Sequence, residues 1–228
     1  MKRHAGWLGG ERIAVVDFET TGMGPNSGAR ATEVGVVVLE GGEIVDRFAS
    51  LMFTGVPVPP FIERLTGISN AMLEDAPGAR EVMEAVHERT QGCPMVAHNA
   101  GFDRGFWVAE MQRAGVDASQ TPFICTVKLA RRLYPDAINH KLGGLAGWLN
   151  LPDQGRAHRA LADALTTAHL LQRMGQGLRE KLREPLGGAP LHAGLLDRLQ
   201  NLPAQRWPTA ARASSSQLAK SLQAALPV

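Results

Sequence analysis

The chain is poor in cysteine and in aromatic residues. Its 228 residues include two cysteines, one tyrosine and 5% aromatic residues in all. Cys93 and Cys125 form neither a disulfide framework nor a CxxC pair of metal-binding thiols. The sequence therefore excludes a disulfide-rich secreted domain, and we expect a protein of the reducing cytoplasm.

Long hydrophobic runs are also absent, because no apolar stretch approaches the ~20 residues that a membrane span requires. The first residues, MKRHAGWLGGER, are basic but lack the apolar core of a signal peptide. Residues 176–228 carry seven Lys or Arg and three Asp or Glu, which leaves 17 basic and 19 acidic residues elsewhere. An acidic body with a basic tail permits a negatively charged site that recruits cations, and no membrane partner is expected.

The first fifty residues have the pattern of a three-stranded antiparallel sheet. RIAVVDF is a continuous apolar run of strand length, as expected for a central strand that is buried on both faces. ATEVGVVVLE and EIVDRFASLMF are β-branched runs separated by Gly41-Gly42, which predicts a hairpin.

Helices and strands alternate in the remainder of the first 175 residues. We expect helices over 61–74 and 78–90, and CPMVAHNA and FICTV read as strands that each precede a helix. KLGGLAGWLN and RALADALTTAHLLQRM are further predicted helices. Hairpins followed by this alternation predict an α/β fold, with a mixed sheet covered by helices on both faces.

The sequence divides into a predicted domain of residues 1–175 and an extension of residues 176–228. Within the extension, PLHAGLLDRLQNLP and SSQLAKSLQAAL are each compatible with a short helix. We expect a small helical unit that either packs on the main domain or contacts a partner.

Two carboxylates end the first strand. Asp17 and Glu19 are two positions apart, so both side chains point to the same face of a strand. Such close like charges repel and raise a pKa unless something neutralises them. Solvent exposure at a strand end is the ordinary explanation for this pattern. At the end of a central strand, the pair also suits a hard divalent cation such as Mg²⁺, which prefers oxygen ligands.

Two further segments carry polar residues of the same kind. In VAHNAGFDRGFW, Asp103 follows a predicted strand and lies near a helix start, where an acid is also favoured by the helix dipole alone. In HRALADA, His158 and Asp163 are five residues apart, which on an ideal helix separates them by about 140°. One possibility is that one of the two residues has only a structural or surface role. The other is that His158 lies at or before the start of the helix, so that both side chains can reach the same site.

These three segments, DFETTG, HNAGFD and HRALAD, resemble the three exonuclease motifs of the DEDDh family of 3′-to-5′ exonucleases. The proofreading epsilon subunit of bacterial DNA polymerase III and ribonuclease T belong to that family. The resemblance covers Ile13 to Met174 and includes CTVKLARRLYP and HKLGGLA. It implies a ribonuclease-H-like mixed β-sheet flanked by helices, and an enzyme that hydrolyses phosphodiester bonds at nucleic-acid 3′ ends to release nucleoside monophosphates.

The resemblance also implies roles for individual residues. Two Mg²⁺ or Mn²⁺ ions are expected at four carboxylates, with Asp17 bridging both, Glu19 and Asp163 completing one shell, and Asp103 acting through water. His158 is the expected general base. The expected substrate-binding residues are Thr20, Thr21, Leu65, Ile68, His98, Asn99 and Phe102.

The residues themselves leave simpler roles open for part of that set. Thr20 and Thr21 suit an ordinary turn after a strand, Asn99 suits a helix cap, and the apolar pair Leu65 and Ile68 suits a helix core. The chain also departs from the family at Thr66, where many relatives have histidine.

The substrate and partners are less constrained. Single-stranded DNA is the favoured substrate, RNA processing is the alternative, and a catalytically idle end-binding scaffold is disfavoured because it has no need of a repulsive carboxylate cluster. The extension could bind a polymerase or another replication or repair partner, or the enzyme could be free-standing. Basic residues Arg131, Arg132, Arg156 and Arg159 suit either phosphate contacts or a solvated surface.

Overall fold

The protein, described here from a computed structural model, contains a five-stranded mixed sheet. The structure describes residues 6–182 and 190–202. The strands are β1 (Arg12–Thr20), β2 (Ala31–Glu40), β3 (Glu43–Leu51), β4 (Met95–Ala97) and β5 (Phe123–Cys125), in the order β3-β2-β1-β4-β5. β1, β2 and β3 are antiparallel neighbours, while β4 and β5 continue the sheet in parallel with β1. The predicted opening hairpins and the central position of β1 are therefore confirmed.

Helices cover both faces of this sheet, as predicted. They are α1 (Pro60–Thr66), α2 (Asn70–Glu74), α3 (Ala79–Thr90), α4 (Gly101–Arg113), α5 (Thr126–Leu133), α6 (Leu142–Trp148), α7 (Ala160–Lys181) and α8 (Ala193–Asn201). α3 and α4 pack on one face, and α7 crosses β1, β2 and β3 on the other, together with α5, α6 and α8.

The two faces of β1 belong to different cores. Ile13 and Val15 pack in the core beneath α7, whereas Phe18 lies in the core beneath α3 and α4. Because side chains alternate along a strand, Asp17 and Glu19 continue the face of Ile13 and Val15. Both acids therefore emerge where that face of the sheet ends, beside the beginning of α7.

A glycine sets the distance between α7 and the sheet. Gly35 on β2 is the register partner of Asp17, and a Cβ atom at this position would lie 2.3 Å from the carbonyl carbon of Ala160. The first turn of α7 therefore rests directly on the sheet backbone, which only a residue without a side chain permits.

The described part of the extension packs on the main domain. α7 continues to Lys181, past residue 175, and α8 lies against β5 and α5. The backbone N–H of Leu191 donates to the carbonyl of Trp7, which ties this segment to the beginning of the chain. The predicted helix SSQLAKSLQAAL lies outside the described residues, and the division near residue 175 stays a prediction.

The Gln200 side chain of α8 forms hydrogen bonds with β5, the strand at the edge of the sheet. The Gln200 amide oxygen accepts from the Cys125 backbone N–H at 2.6 Å, and its amide nitrogen donates to the Phe123 carbonyl at 2.9 Å. Gln200 thus occupies the hydrogen-bonding positions that a further strand would use. No helix in the described residues is both long and apolar enough to cross a membrane.

We predict that Gln200→Ala lowers the free energy of unfolding by about 1–3 kcal/mol, because it leaves buried backbone groups of β5 without a partner. Asn201→Ala is the control, since Asn201 is exposed and its side chain contacts only Asp197 of its own helix and, at 3.5 Å, the exposed Lys128 ammonium. Chemical denaturation of both variants measures the difference. Equal losses in the two variants would show that Gln200 does not seal the edge.

Candidate active site

The acidic cluster begins at the carboxyl end of β1. Glu19 is 8% exposed and lies opposite Glu33 of β2, at a point where the register between the two strands shifts. Asp17 lies opposite Gly35, so no side chain on β2 covers it. The local sequence therefore places two acids on one face of β1, with no β2 side chain over Asp17.

Asp103 enters the same site from the other face of the sheet. It sits in the first turn of α4, is 2% exposed, and its Oδ1 atom accepts from the Phe18 backbone N–H at 3.3 Å. That hydrogen bond fixes Asp103 to the strand residue between the two β1 carboxylates. Burial raises the pKa of Asp103, and the hydrogen bond from Phe18 opposes this shift.

His158 and Asp163 reach the site from opposite ends of the first turn of α7. α7 begins at Ala160, so His158 precedes the helix, as one of the two sequence hypotheses proposed. His158 has a φ angle of 60°, and its backbone N–H donates to Asp163 Oδ2 at 3.2 Å. A ring nitrogen of His158 and carboxylate oxygens of Asp163 and Glu19 lie within 4.8 Å of one another. The five-residue spacing is thus resolved by a turn before the helix.

Burial and mutual repulsion raise the pKa values of the carboxylates in this cluster. Burial, followed by repulsion from Asp163, Glu33 and Asp103, raises the pKa of Glu19 to about 8. Burial and repulsion from the same group of acids raise the pKa of Asp17 well above its ordinary range. Burial also raises the pKa of Asp163, while the His158 backbone N–H lowers it. Anions crowded in this way favour any cation that can enter.

The donor set fits a hard divalent cation. All four acids present oxygen atoms, the ligands that Mg²⁺ and Mn²⁺ prefer, and both cysteines are buried in the core beneath α3 and α4. Arg159 is a cation whose charge lowers the pKa of Glu19, but its guanidinium is bound to Glu33. The excess of negative charge is therefore left for other cations to neutralise.

Both ring nitrogens of His98 form hydrogen bonds within the protein. Its Nε2 atom lies 3.0 Å from the His140 carbonyl and its Nδ1 atom 2.9 Å from Thr126 Oγ1. A carbonyl only accepts, so Nε2 carries the hydrogen and the Thr126 hydroxyl donates to Nδ1. Burial lowers the pKa of His98 to about 4, so its ring is neutral. His98 therefore joins β4, α5 and the loop before α6.

Asn99 and Phe102 differ in how far they can contact a substrate. Asn99 is exposed, adopts a φ angle of 68° and does not cap α4, whose first position lacks a side-chain cap. Its amide is therefore available for a ligand. Phe102 is half-buried and packs against Phe106, with ring centroids 5.1 Å apart.

Thr20 and Thr21 form the turn that follows β1. The Thr20 hydroxyl donates to the Gly22 carbonyl at 2.7 Å, and the Thr21 hydroxyl accepts from the Arg30 backbone N–H at 3.0 Å. Both threonines are buried. Their side chains are thus committed to the turn, the simpler of the two roles suggested by the sequence.

The predicted apolar contact residues separate into one exposed and one buried side chain. Leu65 is 48% exposed on α1, but Ile68 is 0% exposed and packs with Val58 and Leu73. Ile68 therefore offers no surface to a base in this structure. Thr66, where relatives often have histidine, donates to the Ile62 carbonyl and accepts from the Ile68 N–H, which closes the end of α1.

Two of the four predicted basic residues form internal contacts, and two are exposed. Arg132 donates to the carbonyls of Leu202 and Lys128, and the Arg159 guanidinium is paired with Glu33. Arg156 is exposed and packs over Gly67, and Arg131 is exposed on α5.

Glu33 is a site residue that the sequence alone did not indicate, because it lies within an ordinary β-branched run. Its position opposite Glu19 becomes evident only from the strand register.

Comparison with known proteins identifies the family of the chain. A family model described as Exonuclease matches residues 14–171. The chain belongs to this exonuclease family. It is 36% identical over 170 residues to the 3′-5′ exonuclease DinG of Bacillus subtilis (strain 168), which covers 75% of this chain and 18% of that protein. It is 37% identical over 174 residues to the PolC-type DNA polymerase III of Bacillus cereus, covering 76% of this chain and 12% of the polymerase.

Solved structures of exonucleases share the fold. Exonuclease X in complex with 5′ overhanging duplex DNA superimposes with a TM-score of 0.59 at 27% identity, covering 83% of this chain and 99% of that one. The nuclease domain of 3′hExo, a DEDDh family member bound to rAMP, superimposes with a TM-score of 0.63 at 22% identity, covering 73% and 92%. The family model confirms the expected exonuclease family, and the solved structures confirm the expected ribonuclease-H-like fold.

We predict that Glu19→Gln stabilises this exonuclease at pH 8 in the absence of metal, by up to about 5 kcal/mol, because each unit of pKa difference between the folded and unfolded states corresponds to about 1.4 kcal/mol. Because the pKa of Glu19 is about 8 in the folded chain and ~4.3 when unfolded, its ionisation opposes folding increasingly as pH rises from 4 to 8. Below pH 4 both states are protonated and the variant should gain nothing.

Denaturation in a chelator at pH 4 and pH 8 measures this prediction, with Glu84→Gln on the exposed side of α3 as the control. A gain of equal size at both pH values would mean that the ionised carboxylate is not the source of the effect.

Proposed function

We propose that this chain is a divalent-cation-dependent 3′-to-5′ exonuclease that releases nucleoside monophosphates from nucleic-acid 3′ ends. One observation supports this most directly: Asp17, Glu19, Asp103 and Asp163 converge with His158 at the end of the central strand. The family membership supports the same reaction class. Because the chain spans 12–18% of the length of the two curated relatives above, their whole-protein activities are proposals here.

The four carboxylates would hold Mg²⁺ or Mn²⁺, with Asp17 central because every other acid in the group raises its pKa. Bound divalent cations supply acidification of the attacking water and neutralisation of charge on the leaving oxygen. Asp103 is held in place by the Phe18 N–H, and Asp163 by the His158 N–H. The protein therefore orients these oxygens before any ligand binds.

His158 is the proposed general base. It is exposed, lies beside Glu19 and Asp163, and precedes α7, so its ring can reach a water molecule bound at the carboxylates. Imidazole is the side chain that most often accepts and donates protons in catalysis near neutral pH. The neighbouring carboxylates would also stabilise the imidazolium that this transfer produces.

Substrate contacts are assigned to side chains that the structure leaves accessible. Asn99 follows β4 and exposes its amide, and Leu65 exposes an apolar surface on α1. We propose that Asn99 binds near the scissile end and that Leu65 packs on the terminal base. Phe102 would support that base from its half-buried position, while Thr20 and Thr21 would contribute through backbone groups of the turn.

Single-stranded DNA is the proposed substrate. The similarity to a PolC-type DNA polymerase and to exonuclease structures with DNA supports this choice, including E. coli Exonuclease I with a dT13 oligonucleotide (TM-score 0.65, 15% identity, covering 78% of this chain and 43% of that one). RNA is the second candidate, because another structural neighbour carries rAMP.

A proofreading or repair role remains part of the proposal, with a polymerase or another replication partner bound through the extension. Residues 203–228 lie outside the described residues, and the described helix α8 is occupied in packing against β5. Both cysteines are free and buried, which supports a reducing compartment such as the cytoplasm.

End-labelled single-stranded DNA, mismatched duplex DNA and RNA, degraded side by side, test this proposal. We expect stepwise shortening from the 3′ end, fastest on single-stranded DNA, that stops in EDTA and resumes with Mg²⁺ or Mn²⁺. Asp17→Asn should reduce turnover at least about 10³-fold, because the central cation ligand is lost. Chelator-resistant hydrolysis, or a fully active Asp17→Asn variant, would contradict the proposal.

Replacing His158 with glycine should lower kcat by about 10²–10⁴-fold with little change in KM, because the base acts only during the reaction. Glycine also accepts the positive φ angle at this position, which keeps the turn intact. Added imidazole should restore part of the lost rate. His169→Ala is the control, since His169 lies further along α7 and contacts Gln172. An unchanged kcat in His158→Gly would show that His158 is not the general base.

A further inference from the structure

A fifth acid, Glu33, is buried beside the four proposed metal ligands. Glu33 on β2 is 4% exposed and faces Glu19 across the β1–β2 pair. Its carboxylate accepts from Arg159 Nε at 3.0 Å, from Arg159 Nη2 at 2.6 Å and from the Ala160 backbone N–H at 2.9 Å. Glu33 is therefore bound both to the residue before α7 and to its first residue.

These contacts fix the point at which the chain enters α7. Arg159 stands between His158 and Ala160, and Gly35 lets Ala160 rest on the sheet only two residues from Glu33. His158 holds a left-handed φ angle, a conformation that costs energy in a histidine and persists only when the surrounding structure fixes it. A bidentate Arg–Glu pair is the geometrically specific contact that can supply such a constraint.

The ion pair with Glu33 also determines which carboxylate the Arg159 guanidinium contacts. The guanidinium lies near enough to Glu19 for each to affect the pKa of the other. Without Glu33, Arg159 would be free to turn to Glu19, whose oxygens are among the proposed cation ligands. An arginine paired with Glu19 would compete with a divalent cation for those oxygens.

We propose that Glu33 and Arg159 are positioning residues of the catalytic site. Their ion pair anchors the start of α7, which orients His158 and Asp163, and it keeps the guanidinium away from the cation ligand Glu19. This inference rests on the proposed exonuclease function, and it assigns roles to two residues outside the four carboxylates and the base.

The test compares Glu33→Gln and Arg159→Lys with the wild-type chain. Glu33→Gln should lower kcat at least about tenfold, with KM for a DNA oligonucleotide changed less than about threefold, and should raise the Mg²⁺ concentration for half-maximal activity about fivefold or more. Arg159→Lys keeps the charge but loses the planar fork, so it should retain an intermediate kcat. In Glu33→Gln/Arg159→Gln, kcat should fall no further than in the worse single variant.

Glu110→Gln is a matched control. Glu110 is also buried and accepts from Arg30 Nε at 2.8 Å, from Arg30 Nη2 at 2.9 Å and from the Ala31 N–H at 3.3 Å, but it belongs to the other face of the sheet. It should lower thermal stability about as much as Glu33→Gln while leaving kcat and the Mg²⁺ requirement unchanged. If Glu33→Gln behaves in the same way, the pair is structural and the inference is wrong.

Calorimetric titration with Mn²⁺ separates this inference from the proposed function. Glu33→Gln should bind Mn²⁺ about fivefold more weakly or worse than the wild-type chain, a difference that requires no turnover. A wild-type chain that binds Mn²⁺ but degrades none of the substrates would refute the proposed function alone. Equal Mn²⁺ affinity in the two proteins would overturn the role of the pair, whether or not the wild type is active.

Discussion

Repulsion among the carboxylates at the end of β1 is the interaction around which the rest of the structure is arranged. Asp17 and Glu19 gain no stability from their position, since burial and neighbouring charges oppose their ionisation. The apolar run before them compensates, because Ile13 and Val15 are fully buried beneath α7. A strongly stabilised central strand can therefore hold a destabilising group at its end, as functional sites often require.

The surrounding elements converge on that strand end from two cores. α4 presents Asp103 from one face and α7 presents Asp163 from the other, while Gly35 allows α7 to approach the sheet closely. α8 stabilises the distant edge through Gln200, so the extension contributes to the sheet rather than to the acidic cluster. Within the described residues, the contacts that close the edge of the sheet thus belong to α8 and β5 rather than to the elements that carry the acids.

Local sequence predicted the features that depend on local geometry. Strand alternation placed Asp17 and Glu19 on one face, and helical geometry required His158 to lie before α7 if it joins Asp163. Features that depend on contacts between residues far apart in the chain could not be predicted from local sequence. Glu33 and Arg159 are 126 residues apart in the chain, and the burial of Ile68 and the neutral state of His98 arise from tertiary packing that no local pattern reveals.

Counting the protons released when Mn²⁺ binds tests the central claim most directly, because a cation must displace the protons that repulsion holds on these acids. Calorimetry at pH 7 in buffers of different ionisation enthalpy supplies the count. With the pKa of Glu19 at about 8, we predict release of about one proton or more, falling towards zero at pH 9. Tight Mn²⁺ binding without proton release at pH 7 would show that the acids are already ionised and would contradict the account.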